Sequence, residues 1–208
     1  MAVGTLNKMT VPLANDQSAN NQALLMPKLQ YRFRVTFVNF GVSTPTTELT
    51  KQVIDVTKPQ LSFDEIVLDS YNSKIYLAGK PAWNSISVNL RDDVNNNVQL
   101  LVGEQLQKQF DFYEQASACA GINYKFGTVI EILDGGNGIH EPHVLETFEL
   151  CGCYVANANY NQLNYATSEA LSVSLEIRYD NAIQTPQGAG IGAAIERLHG
   201  SLSTGAGQ

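Results

Sequence analysis

The sequence predicts a mainly β protein of the α+β class: an antiparallel sandwich or barrel with one flanking helix and an extended arm at each end. Three observations lead there. Apolar and polar residues alternate with a period of two in several separate stretches between Tyr31 and Tyr179. One central stretch changes to spacings of three and four. The two ends are enriched instead in asparagine, glutamine, alanine and glycine.

Residues 1–27 show little hydrophobic periodicity and read as an N-terminal arm. The domain is expected over 28–184, opening with KLQYRFRVTF, where Tyr31, Phe33, Val35 and Phe37 alternate with Arg32, Arg34 and Thr36. KQVIDVTKPQLSFDEIVLD follows as two strand-like runs broken at Lys58-Pro59. Next comes SYNSKIYLAGKPAW (70–83), in which large apolar side chains sit among loop formers. SISVNLR then places Ile86, Val88 and Leu90 on one face.

A helix is predicted over about 93–118, with Val98, Val102, Leu106, Phe110 and Tyr113 as its stripe. Asp92, Asp93 and Asn95 suit its first turn, and Gly121 suits its end. Strands resume in KFGTVIEILD, followed by a glycine turn at 134–138, the extended HVLETFELCGCYV, and a polar segment holding Tyr160 and Tyr165. LSVSLEIRYD is the cleanest alternation, with Leu171, Val173, Leu175, Ile177 and Tyr179 on one face. Residues 185–208 form a glycine-rich extension. Within it Ile191, Ile195, Leu198 and Leu202 have helical spacing, so it reads either as a plain tail or as a short helix that forms when docked.

Composition excludes several functions. With 208 residues, 44% of them hydrophobic, the chain can bury a real core. A net charge of −7 argues against a surface that grips nucleic-acid phosphates. No apolar run is long enough for a membrane span, and the first residues lack a signal-peptide core. Three cysteines fit a reducing compartment, and synthesis in a cytoplasm is expected.

The sharpest candidate for site chemistry is His140, His143, Cys151 and Cys153, four ligand-type side chains within 14 residues. Cys-Gly-Cys lies in a strand-like run rather than on a metal-binding turn, and two same-face cysteines flanking a glycine read first as small core or interface residues. Carboxylates fall on the polar phases of strands, and no nucleophile elbow, phosphate loop or dinucleotide fingerprint is present. No catalytic residue, cofactor or metal is expected. Residues 70–83 remain the anomaly: either a contact surface or a hairpin folded back on its own core.

The order of these elements resembles the tail tube proteins of contractile-tailed bacteriophages. The residues that carry the resemblance are Lys74, Ile75, Ala78 and Gly79 in the connection, then Trp83, the acidic pair Asp92-Asp93 before a helix, and the closing strand LSVSLEIRYDNA. It covers about 28–184, and both arms are longer than a minimal tube subunit needs. It implies homo-hexameric rings stacked into a hollow tube, in a phage tail or a related contractile injection device. A sheath would lie outside, baseplate and tail-terminator proteins at the ends, and DNA would pass without specific binding. The location implied is a virion tail assembled from protein made in the host cytoplasm. Ring stacking would fall to Tyr71, Asn72, Lys74, Ile75, Tyr76, Leu77, Ala78, Gly79, Lys80 and Trp83. The acidic balance suggests a lumen that repels phosphates, with Glu131, Glu149 and Glu176 as candidates. The reading from another class is a monomeric metal- or ligand-binding β-domain built on the histidines and cysteines.

Overall fold

The computed structural model describes residues 27–42, 47–117, 124–135 and 142–186. The expectations placed on residues 1–26, Cys119, Gly121, residues 136–141 with His140, and the extension from Gln187 onward lie outside these residues. The chain divides into two units, 1–32 and 33–208. In the first, Arg32 N–H donates to Leu29 C=O at 3.2 Å in a turn, so the expected opening strand begins only at Phe33.

The second unit runs β1 (Phe33–Val38), α1 (Thr47–Gln52), β2 (Val53–Val56), β3 (Leu61–Ser70), β4 (Ser73–Trp83), β5 (Ile86–Arg91) and α2 (Asn97–Gln109). It continues with β6 (Phe110–Asp111), β7 (Ala116–Ser117), β8 (Phe126–Leu133), β9 (Val144–Asn159), β10 (Ser172–Arg178) and β11 (Asn181–Thr185). One antiparallel sheet has the order β1-β8-β9-β10-β5-β2, with β11 also paired to β9. β1 and β2 end that order without pairing to each other, so the barrel stays open.

The sheet has two halves because β9 belongs to both. Its first part pairs with β8 and β11, and its last part pairs with β10. Between them Gly152 takes φ +69, and a side chain there would run into the Asp180 carboxylate. Asp180 N–H donates to Cys151 C=O at 3.0 Å, and its carboxylate pairs with Lys125. The corner thus turns both β9 and the β10–β11 strand beside it.

Alternation does the rest. Val35 and Phe37 of β1, Phe126 and Ile130 of β8, Leu150 of β9, Ile86, Val88 and Leu90 of β5, and Val173, Leu175 and Ile177 of β10 form a single buried cluster. Helix α2 adds Val98, Leu101 and Val102 to it. Two glutamines one turn apart fix that helix. Gln105 accepts from Gly41 N–H at 3.2 Å and donates to Tyr124 C=O at 2.6 Å. Gln109 accepts from Val155 N–H at 3.0 Å and donates to its C=O at 2.9 Å, filling a pairing site on β9.

The helix is shorter than the spacing predicts. It covers Asn97–Gln109 rather than 93–118, and Phe110 and Tyr113 are exposed in the small β6–β7 hairpin. The cause is local: the Asp111 side chain accepts from the N–H groups of Tyr113 at 2.9 Å and Glu114 at 3.3 Å, a turn that competes with helix continuation. At the other end Asp93 caps the first turn by accepting from Asn97 N–H at 2.9 Å. Helix α1, with no stripe of its own, was not predicted, although it buries Leu49 completely.

Replacing Gly152 with Ala should destabilise the fold by about 2–3 kcal/mol, the cost of a left-handed non-glycine residue plus the collision with Asp180. A urea titration followed by circular dichroism measures it. An unchanged midpoint would show that the corner does not need this glycine.

Candidate assembly surface

β3 and β4 pair with each other and with no other described strand. At about 3.4 Å per residue, their ten and eleven residues make an arm on the order of 30 Å long. The register explains its surface. Leu68 faces Ile75 and Ile66 faces Leu77, which puts four aliphatic side chains on one side. The other side carries Val67 opposite Tyr76 and Asp69 opposite Lys74, the latter pair 3.6 Å apart. Every one of these side chains is exposed, with Tyr76 at 62% and Ile75 at 51%.

The tip and the base are built differently. At the tip Tyr71 takes φ +49 in a two-residue turn and projects fully into solvent, while Ser73 Oγ donates to Ser70 C=O at 3.0 Å. Midway, β4 carries an extra residue: Gly79 and Lys80 together lie opposite Asp64, between the pairs Glu65–Ala78 and Phe63–Pro81. A Cβ at Gly79 would come within 2.8 Å of the Asp64 carbonyl oxygen, so the close approach requires glycine. At the base Trp83 packs on Tyr179 with ring centroids 5.7 Å apart and leans on the core.

Of the residues assigned to contact by sequence, Tyr71 and Asn72 therefore form the tip, and Lys74, Ile75, Tyr76, Leu77, Ala78, Gly79 and Lys80 lie along β4. Trp83 is instead a half-buried anchor. Sequence reasoning read β3 as a strand but did not count it with the contact residues, although its Phe63, Ile66, Val67 and Leu68 are also exposed. The signal was the run Ile66-Val67-Leu68, which breaks alternation and so cannot belong to a strand with one wet face. Smaller exposed groups among the described residues include Phe110 with Phe112 and Tyr113, and Leu163 with Tyr165.

The three glutamates do not share one surface. Glu131 and Glu149 point outward from the β1-β8-β9-β11 half, where Glu131 accepts from Arg34 Nε at 2.6 Å and Glu149 sits between Val129 and Ile183. Glu176 points outward from the β9-β10-β5-β2 half, in register with Ser87 and Asn157, and accepts from Ser85 Oγ at 2.6 Å. The outer face of this second half is made of short polar side chains. Ser87, Asn89, Ser172, Ser174, Asn157 and Asn159 all lie on it.

The described histidine of the candidate group, His143, is not brought to the cysteines. His143 immediately precedes β9 and Cys151 lies eight residues along the same extended strand, a separation of about 25 Å. Zinc ligands must converge to within about 2.3 Å of one ion. Among the described residues no three His, Cys, Asp or Glu side chains are placed to hold a metal. Cys153 faces the core and donates to Leu150 C=O at 3.5 Å, and burial pushes its thiol up to about 11. Burial, then the nearby Glu149, also raises Cys151. Burial thus disfavours the thiolate at Cys153, the form that attacks electrophiles and binds metals.

No family model matches the chain, and no curated protein matches it. Solved structures share its fold at low identity. A chain in the extended-state sheath–tube complex of an extracellular contractile injection system, PVC, aligns with TM-score 0.56 and 13% identity over 82% of this chain and 99% of that one. A chain in the tube-terminating cap of the anti-feeding prophage gives 0.56 and 15% over 80% and 95%. One in the sixfold-symmetrised baseplate of the same particle gives 0.53 and 15% over 77% and 97%. The protein thus has a tail-tube-like fold found in contractile injection systems.

Iodoacetamide at pH 8 should leave Cys153 unmodified in the folded protein and alkylate it in 6 M guanidinium, read by peptide mass mapping. Comparable alkylation in both states would mean that this thiol is not sealed in the core.

Proposed function

We propose that the chain is a structural, non-enzymatic subunit of the tube of a contractile tail or related injection device. Six copies form a ring, rings stack into a hollow tube, and DNA or another cargo travels through it. A sheath surrounds the tube, and baseplate and terminator proteins close its ends. In a phage this places the protein in the virion tail. No described helix is long and apolar enough to cross a membrane.

The observation that carries this reading is the β3–β4 arm. A two-stranded hairpin alone in water is marginally stable, yet this one holds four aliphatic side chains and several aromatics away from a core that is already complete. Covering the exposed half of Ile66, Leu68, Ile75 and Leu77 contributes about 1 kcal/mol each, enough to favour docking and repeated in every subunit. A second copy in the next ring is the partner. Each subunit would offer an arm and receive one, a head-to-tail contact that does not close and so grows a filament. The fold shared with chains of contractile particles supports the same conclusion. Lys74 and Lys80 on the arm suit an acidic neighbour, and the chain itself carries −7.

Replacing Ile75, Tyr76 and Leu77 together by Ser should leave the melting transition within a few degrees of the parent and abolish tubes in negative-stain images. Tubes of normal length from the variant would remove the arm from ring stacking.

A further inference from the structure

We infer that the outer face of the β9-β10-β5-β2 half is the wall facing the conduit, and that this wall is charge-balanced rather than acidic; the inference rests on the tube reading. The two outward faces of the sheet differ in the property that decides which one stays wet. On the β1-β8-β9-β11 half, Val38, Leu145 and Ile183 are exposed large apolar side chains on strands, the kind of surface that contact with another protein covers. On the second half, the outward positions of β5 and β10 are Ser87, Asn89 and Arg91, and Ser172, Ser174, Glu176 and Arg178. None is apolar.

The short side chains here are also tied down. Asn89 Nδ2 donates to Asp55 Oδ1 at 2.8 Å, Ser85 Oγ to Glu176 at 2.6 Å, and Ser87 N–H to Thr57 Oγ1 at 2.7 Å. Hydroxyls and amides held close to the backbone keep a layer of water and present no flexible charged stem for a passing polymer to catch. The outward positions of these strands carry two carboxylates, Asp55 and Glu176, and two guanidiniums, Arg91 and Arg178, so their charges sum to zero. The acid excess of the chain lies elsewhere, and of the three glutamates considered from sequence only Glu176 belongs to this wall.

The experiment uses the full chain with Ser174→Cys or Thr36→Cys, one residue from each outer face. Assembled tubes and dissociated subunits are treated with N-ethylmaleimide or with a 20-kDa polyethylene glycol maleimide, and the introduced site is quantified by peptide mapping. Ser174→Cys should react with the small reagent in both states, and its reaction with the polymer should fall at least tenfold on assembly. Thr36→Cys should lack that size-selective pattern. The assignment is overturned if Ser174→Cys in tubes takes the polymer at the free-subunit rate, if it is shielded from both reagents, or if Thr36→Cys shows the selectivity instead. Failure of the parent chain to form tubes by microscopy would overturn the tube reading itself, which is a separate result.

Discussion

Strand β9 is the constraint on which the rest of the molecule depends. Sixteen residues run continuously from Val144 to Asn159 and hydrogen-bond to β8, β11 and β10 in turn. A strand shared by two halves of a sheet must change direction, and each change needs an irregularity where the pleat gives way. Gly152 supplies one, and the slipped register near Val155–Asn157 supplies the next. Because the strand turns there, the inner side chains of both halves reach one cluster, and the outer faces point to different surroundings. Helix α2 is locked to the same strand through Gln109, so its position follows from β9 as well.

That arrangement explains why the β3–β4 arm is free to act outside its own subunit. The core closes without it: no arm residue between Ser62 and Lys80 belongs to the buried cluster. The base is tied in through Trp83 against Tyr179, while Asn84 N–H to Gln60 C=O at 3.0 Å closes the hairpin itself. Exposed apolar area is therefore not compensated within the monomer. The surface ion pair Lys74–Asp69 adds little, since both groups are well hydrated. The chain folds around β9 and leaves its largest apolar appendage uncovered, as the proposed contact between chains requires.

The parts of this fold that follow from a two-residue period were legible in the sequence. Val35 and Phe37, Ile86 to Leu90, and Val173 to Tyr179 are buried as alternation requires, and the anomaly at 70–83 marked an exposed segment. The errors arose where a local bond or a distant partner overrode the pattern. Phe110 and Tyr113 continue the helical spacing, but Asp111 captures two backbone N–H groups and ends the helix first. Leu61 to Ser70 read as an ordinary strand because nothing local states that its partner is β4 alone. Trp83 looked like contact material until Tyr179, almost a hundred residues away, was found beside it. The assignment of Glu131, Glu149 and Glu176 to faces depended on bulges in β9, and a bulge reverses every side chain beyond it.

The same reversal bears on how a tube handles charged cargo. Net charge is a property of the whole chain, whereas a polymer in a narrow conduit responds to groups within about 8 Å, the distance over which salt screens a field at physiological ionic strength. The excess of seven negative charges therefore says little about a lumen unless the acidic groups line it. Glu131 is already matched by Arg34 on another face, and Glu149 lies between apolar neighbours there. The mostly polar outer face of the β9-β10-β5-β2 half carries Asp55 and Glu176 together with Arg91 and Arg178. A wall of that kind avoids adhesion by remaining hydrated and neutral, and it does so for cargo of either sign. An acidic wall would favour passage of polyanions alone. In the proposed tube, serine and asparagine at successive outward positions would make tolerance of cargo a matter of short, internally bonded side chains and not of repulsion.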